Sequence, residues 1–168
     1  MKTLWRCVVV TVLGAGSALA WAVAAYSLLA APAPDFALRA FGGGNVRLSE
    51  HRGEVVVLSF WSSGCGPCPA QLATLDRSFA TYHSAGLQMY GIGVDDDAGH
   101  ARDFAGAQRV GFAMLADPAK TVSRLYQVDN LPMTVLIDRS GTVRHVHRDF
   151  GAKSEALYLQ QLRALLNE

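Results

Sequence analysis

Hydrophobic positions follow two different patterns along the chain, and the change falls at about Pro34. Residues 7–31 form an apolar run without a charged side chain, whereas the chain from Asp35 onward alternates short apolar runs with polar segments. As a helix, the apolar run would be about 37 Å long at ~1.5 Å per residue, and a bilayer core needs only about 20 residues. The pattern therefore predicts an N-terminal membrane anchor or signal segment over residues 1–34 and one globular domain over residues 35–168.

The apolar runs of the globular part predict strands that alternate with helices. Residues 55–60 lack polar alternation, which is typical of a strand buried on both faces. Leu72, Leu75 and Phe79 recur at helical spacing. Further strands are predicted over 36–38, 46–48, 87–94, 113–115, 134–137 and 143–147, and further helices over 98–110, 120–126 and around 157–166. This order predicts an α/β layered domain with a central mixed sheet.

Composition and charge narrow the classes of function. Hydrophobic residues make up 51% of the 168 residues and charged residues 17%, below the roughly 25% charged residues of an average soluble domain. The net charge is +1, so no global field attracts nucleic acid and we expect no nucleic-acid partner. The three cysteines are too few for a disulfide scaffold.

The basic residues Lys2 and Arg6 precede the apolar run, which keeps the N-terminus in the cytoplasm and exports the rest of the chain. We favour an uncleaved single-pass anchor in the inner membrane over residues 7–31, with the globular domain on the periplasmic or other extracytoplasmic side. The alternative is a cleaved signal peptide with its small-x-small site at residues 18–20, which would release a soluble exported protein.

The segment Cys65-Gly66-Pro67-Cys68 lies between the predicted buried strand 55–60 and the helix that follows. Two cysteines at this spacing can close a disulfide or bind a metal. The helix dipole stabilises a thiolate at a helix start, so we predict Cys65 as the attacking sulfur and Cys68 as the resolving sulfur of thiol–disulfide exchange. Pro67 fixes the backbone at a position that needs no N–H donor.

A purely structural disulfide and a zinc site are the alternatives to a redox-active pair. A bridge across two intervening residues restricts the unfolded chain little, so it would add little stability. A structural zinc site needs four ligands, and the sequence offers no second cysteine pair. A redox couple is therefore favoured, and no metal or other cofactor is predicted.

Segment 57–61 leading into the cysteine pair, together with segment 126–138 and Gly141, resembles the TlpA/ResA-like thiol–disulfide oxidoreductases, the membrane-anchored exported branch of the thioredoxin superfamily. The resemblance implies a thioredoxin-like three-layer α/β fold with a central mixed sheet, an N-terminal β-hairpin and an inserted helix at 98–110. We expect an exported oxidoreductase that acts on the disulfides or dithiols of other exported proteins, mainly by reducing them. Net reduction in an oxidising compartment needs an electron donor, for which we expect a membrane thiol. Cytochrome c maturation and copper-site maturation are both possible settings in this family.

The resemblance also implies roles for residues around the cysteines. It implies a cis peptide bond between Leu131 and Pro132 that faces the cysteine pair and exposes backbone to an extended substrate strand. Trp61 ends the preceding strand as a supporting residue. Family members usually carry tryptophan immediately before the first cysteine. Gly64 stands there instead, which could change access to Cys65.

A buried acid is the remaining expectation. Ser59 occupies the position of the buried aspartate of thioredoxins themselves, and ResA-like members are expected to use an acid near the end of the next strand. Asp96 is the matching candidate, since an acid buried beside a thiol could pass a proton. The alternative is that residues 95–97 form a solvated acidic loop.

Two other functions fit parts of the sequence. Ser62 and Cys65 partly match the Ser-x-x-Cys core of peroxide-reducing peroxiredoxins, although Leu58 stands where that motif has proline. A copper metallochaperone could bind Cu(I) through the two cysteines and a histidine, and His145 and His147 share one face of a predicted strand. Nothing in the sequence places that face near the cysteines.

Overall fold

The computed structural model describes residues 28–168. The predicted membrane segment lies almost entirely outside this range, and within residues 28–168 no helix is both long and apolar enough to cross a bilayer. The strands are β1 (Ala37–Ala40), β2 (Asn45–Arg47), β3 (Val55–Trp61), β4 (Leu87–Gly93), β5 (Ala113–Ala116), β6 (Met133–Ile137) and β7 (Val143–His147). The helices are α1 (Cys68–Tyr82), α2 (Ala98–Gln108), α3 (Thr121–Leu125) and α4 (Ala152–Leu166).

The strands of the described chain form one mixed sheet in the order β2-β1-β5-β4-β3-β6-β7. Strands β3, β4 and β5 run parallel to one another, and the remaining pairs are antiparallel. Helices α1, α2 and α4 cover one face, while α3 and the N-terminal residues of the described chain cover the other. The predicted three-layer, thioredoxin-like α/β fold with a central mixed sheet is confirmed.

Strand β3 lies inside the sheet and is buried along its whole length. Val56, Leu58 and Phe60 pack on the α3 face, and Val57 and Trp61 pack on the α1 face. Burial on both faces is the reason why this strand has no polar alternation in its sequence. Because its carboxyl end leads into the cysteine motif, a fully buried strand fixes where the cysteines lie.

The predicted N-terminal hairpin and the inserted helix are both present. Strands β1 and β2 pair antiparallel, and their turn uses Gly43 and Gly44 at φ of 100° and 78°, which glycine adopts without steric cost. The inserted helix is α2. It begins after Asp97, whose carboxylate accepts a hydrogen bond from the His100 N–H at 2.9 Å.

Residues 28–34, which we name the N-terminal strap, lie against the first residue of β7. The Ala30 N–H donates to the Val143 carbonyl at 2.8 Å, and the Val143 N–H donates to the Ala31 carbonyl at 2.9 Å. Leu28 is 4% exposed and belongs to the core on the α3 side of the sheet. The folded unit therefore includes residues that hydropathy assigned to the membrane segment, because apolar side chains can fill a core as well as a bilayer.

Candidate active site

The candidate active site is built around the cysteine pair that follows β3. Cys65 and Cys68 are joined by a disulfide, with their Cα atoms 5.4 Å apart. Cys68 is the first residue of α1 and is completely buried, whereas Cys65 is partly exposed. Pro67 is the N-cap, and the first turn of α1 contains no acidic residue. The cysteine pair therefore lies at the positive end of the helix dipole, which stabilises a thiolate.

An open groove with a volume of about 620 Å³ lies beside Cys65. We name it the Cys65 groove. Its walls come from the cysteine motif, from the start of α3 and from the loop before β6, and include Cys65, Gly66, Pro67, Lys120, Asp129 and Leu131. Gly64 also lines it, and a Cβ atom at Gly64 would meet nothing within 4 Å. The groove is therefore open where the related proteins are expected to carry a tryptophan.

The loop before β6 brings the predicted proline to this site. The peptide bond between Leu131 and Pro132 is cis, which confirms that prediction. Leu131 lines the Cys65 groove and packs against the same hydrophobic cluster as Cys65, while Pro132 is buried. The part of these two residues in binding a substrate strand stays a prediction.

Arg148, which sequence reasoning did not single out, holds the same loop in place. Its guanidinium pairs with the Asp129 carboxylate and donates to the Gln127 carbonyl at 2.9 Å. The Asn130 side chain in turn donates to the Arg148 carbonyl at 3.4 Å. Arg148 directly follows β7, and only the pairing of β7 with β6 brings it to this loop. No local sequence signal marks it.

Trp61 supports the strand end from which the cysteine motif starts. The side chain is fully buried, and its indole stacks on Phe104 of α2 with ring centroids 4.8 Å apart. Phe41 lies on another side at a centroid distance of 6.3 Å. Gly93 makes room for the indole, since a Cβ atom at Gly93 would come within 2.7 Å of it. The inserted helix thus packs against the base of the cysteine motif.

The prediction that Asp96 is an acid buried beside a thiol is wrong. Its side chain is 82% exposed, and its carboxylate lies 2.8 Å from the Lys120 ammonium. Strand β4 has already ended at Gly93, so Asp96 belongs to the solvated loop that was the alternative. Asp95 instead contacts the loop that leads into the cysteine motif, because its carboxylate accepts hydrogen bonds from the Ser63 N–H at 3.0 Å and from the Ser63 hydroxyl at 2.6 Å.

Comparison with known proteins decides the family to which this geometry belongs. The AhpC/TSA family model matches residues 29–146. The chain belongs to the AhpC/TSA family. The thiol-disulfide oxidoreductase ResA of Geobacillus kaustophilus is 32% identical over 114 residues, which are 68% of this chain and 66% of that protein. ResA of Bacillus subtilis is 29% identical over 111 residues, 66% of this chain and 62% of that protein. The match thus spans slightly less than two thirds of these relatives.

Solved structures of thiol–disulfide proteins share this fold. A crystal structure from Chlorobium tepidum, described as a thiol:disulfide interchange protein DsbE, superposes with a TM-score of 0.78 at 36% identity and covers 82% of this chain and 97% of that chain. A solution structure from Bacteroides thetaiotaomicron, described as a protein disulfide isomerase, has a TM-score of 0.77 at 27% identity, covering 83% and 91%. The resemblance to thiol–disulfide oxidoreductases inferred from the sequence is therefore confirmed.

This member of the AhpC/TSA family has a neutral hydrogen-bond network at the position of the buried aspartate of thioredoxins. The Ser59 hydroxyl donates to Gln71 Oε1 at 3.0 Å, and Gln71 Nε2 donates to Thr134 Oγ1 at 2.9 Å. All three side chains are buried. Sequence reasoning overlooked Gln71, although a signal existed: it follows Cys68 by three residues and so shares its face of α1.

The histidines of the copper alternative lie apart from the Cys65 groove in this AhpC/TSA domain, since neither lines it. His147 Nε2 lies 2.7 Å from Gln161 Oε1 on α4. Burial lowers the pKa of His145, and the charges of His147 and Arg144 lower it further. Within residues 28–168, no group of three or more His, Cys, Asp and Glu side chains is arranged to hold a metal ion.

Proposed function

We propose that the protein is an exported thiol–disulfide oxidoreductase that reduces disulfides of other exported proteins. The observation that carries the proposal is the asymmetry of the cysteine pair: Cys65 opens onto a groove, and Cys68 is buried at the start of α1. An incoming partner can therefore reach only one of the two sulfurs. The relatives named ResA and DsbE support the same chemistry.

In the proposed reaction the Cys65 thiolate attacks one sulfur of a substrate disulfide. The substrate S–S bond breaks, a mixed disulfide forms, and the second substrate sulfur leaves as a thiolate that takes up a proton. Cys68 then loses its proton and attacks the Cys65 sulfur, which releases the first substrate sulfur as a thiol. The substrate gains two electrons, and the protein is left with the Cys65–Cys68 disulfide seen in the structure.

A dithiol donor must reduce this disulfide again before the next turnover. In an oxidising exported compartment the glutathione and thioredoxin pools of the cytosol do not do so. We therefore propose a membrane thiol protein as the electron donor, and an anchor in the part of the apolar run that precedes Leu28, which keeps the domain at the extracytoplasmic face of the inner membrane. Cytochrome c maturation is the substrate setting that we propose, on the strength of the resemblance to TlpA/ResA-like proteins.

Trapping of a mixed disulfide tests the assignment of roles. The full-length protein, with Cys7 replaced by serine in every variant, is incubated with a peptide that carries a disulfide. The Cys68→Ser variant should accumulate the peptide on Cys65, because the resolving thiol is missing, and the Cys65→Ser variant should not. Accumulation on the Cys65→Ser variant alone would reverse the roles.

The reduction potential of the pair tests the direction of electron flow. A value near that of thioredoxin, about −270 mV, agrees with a reductase, whereas a value near that of DsbA, about −120 mV, would make the protein an oxidant. Equilibration of the full-length protein with glutathione or dithiothreitol buffers gives this value. Neither peroxide reduction nor copper delivery is favoured by a specific contact in residues 28–168.

A further inference from the structure

Lys120 lies in the wall of the Cys65 groove. Among the described residues that line this groove, it has the only cationic side chain, and Asp129 has the only anionic one. The Asp129 carboxylate is already paired with the Arg148 guanidinium. Lys120 is therefore the charged side chain that a substrate segment in the groove meets beside Cys65.

The backbone holds Lys120 in a conformation that is unfavourable for a residue with a side chain. Its φ and ψ are 54° and 29°, the left-handed region that glycine adopts more easily. The turn is fixed by Asp117, which is 1% exposed and whose carboxylate accepts from the Thr121 N–H at 2.9 Å and the Ser123 N–H at 2.8 Å. Asp117 thus fixes the backbone turn from which the Lys120 side chain enters the wall of the groove.

Only a weak contact engages the Lys120 ammonium within residues 28–168. An ammonium has three N–H donors, and the structure pairs this one with the Asp96 carboxylate at 2.8 Å. Asp96 is largely in solvent, and exposed ion pairs of this kind contribute little free energy. A carboxylate from a substrate can therefore replace or join Asp96 at little cost.

The other acids of the same loop have different partners. Asp95 accepts from Ser63, and Asp97 caps α2. The N–H groups of His100 and Gly99 lower the pKa of Asp97. Neither Asp95 nor Asp97 lines the Cys65 groove, so both act on a bound substrate from a greater distance than Lys120 does.

We propose that Lys120 determines specificity and favours substrates that carry a carboxylate side chain next to the reacting cysteine. The inference rests on the proposed function and names its substrate class. Asp96, the acid that the sequence suggested as a proton carrier, acts here as the exchangeable counter-ion of Lys120. Because the pair is exposed, the preference is expected to be about two- to fivefold and to weaken in high salt.

Three peptides test the proposal, each a disulfide-linked dimer with Glu, Gln or Lys beside its cysteine. The reduced full-length protein in a non-ionic detergent, with Cys7→Ser as background, reacts with each peptide at low and high salt, and the release of peptide thiol gives the rate constant. Lys120→Gly removes the charge while relieving the backbone, and Lys120→Arg keeps the charge. Asp96→Asn removes the competing carboxylate.

Wild type should reduce the Glu peptide two- to fivefold faster than the Gln peptide at low salt. Lys120→Gly should abolish that ratio, Lys120→Arg should retain it, and Asp96→Asn should increase it. Three results would overturn the inference and leave the proposed oxidoreductase function standing. Wild type could reduce all three peptides at the same rate, it could reduce the Lys peptide fastest, or Lys120→Gly could lower the rate constants for all peptides by the same factor. Failure of wild type to reduce any peptide would instead refute the proposed function.

Discussion

Gln71 Nε2 donates a hydrogen bond to Thr134 Oγ1 at 2.9 Å and so joins the helix that starts at Cys68 to the strand that follows Pro132. The two halves of the candidate active site come from segments about 63 positions apart in the chain. A buried side-chain contact thus connects them in addition to the pairing of β3 with β6, and the Ser59 hydroxyl completes the network from β3.

Replacing Gln71 by leucine should destabilise the oxidised protein by about 1–3 kcal/mol, because the buried hydroxyls of Ser59 and Thr134 lose their partner. Urea unfolding gives the free energy. The matched control removes the whole network with Ser59→Ala, Gln71→Leu and Thr134→Val together, and this triple variant should lie closer to wild type. An unchanged unfolding midpoint in Gln71→Leu alone would show that the network adds no stability.

Gly93→Ala should destabilise the protein by about 1–3 kcal/mol, since its Cβ atom would overlap the Trp61 indole. The control is Gly106→Ala on α2, where a Cβ atom meets nothing within 4 Å. That substitution should be neutral or stabilising, by up to about 1 kcal/mol, because alanine favours a helix over glycine. Urea unfolding compares the two variants, and equal destabilisation would contradict the packing described for Trp61.

Loss of Arg148 should loosen the loop before β6. In Arg148→Met we expect the amides of residues 127–131 to exchange hydrogen roughly two- to fivefold faster, the effect of losing an exposed ion-pair contact of about 0.5–1 kcal/mol. Arg144→Met is the control, since Arg144 lies near the other end of β7 and pairs with Asp138 and Glu168. Equal acceleration in both variants would mean that Arg148 does not act locally.

Stability should fall in alkaline solution as Tyr90 ionises. Burial raises the pKa of Tyr90 to about 12, with a further contribution from the Glu54 charge, whereas an unfolded tyrosine titrates near 10. The folded state therefore favours the neutral phenol. This contribution to the free energy of unfolding is fully present below about pH 10 and is lost as the pH rises toward 12. Urea unfolding between pH 9 and 12 should show a smaller decline in Tyr90→Phe. An identical decline would exclude Tyr90 as the source.

The strap should be necessary for full stability. Leu28→Asp should cost about 2–4 kcal/mol, because it removes a buried apolar side chain and buries a charge. Leu29→Asp is the control, since Leu29 is 54% exposed. N-terminal sequencing of the native protein adds an independent check: the mature chain should start before Leu28, and a start at residue 35 or later would show that the folded unit does not need the strap.

The sequence predicted those parts of the site that depend on a continuous segment. The uninterrupted apolar run of β3, the cysteine motif and the helix after it are adjacent in the chain, so their order determines their placement. The prediction for Asp96 failed because the acid that contacts the loop before the motif is Asp95, through a hydrogen bond from Ser63, which is 32 positions away in the sequence. Arg148 and Lys120 reach the site only through the packing of distant elements, and periodicity contains no information on such contacts.

If the proposed anchor precedes it, the strap also limits how far the disulfide lies from the bilayer. Its contact with Val143 lies level with Ile137 and Val56 across the sheet, and the cysteine motif follows Trp61, about 16 Å further along β3 at ~3.3 Å per residue. Under the proposed anchor, the contacts of the folded domain begin at Leu28, within the same apolar stretch of sequence as the anchor. The Cys65–Cys68 disulfide would then stay at a nearly constant distance from the lipid surface. The protein would exchange with partners that present a disulfide at that distance.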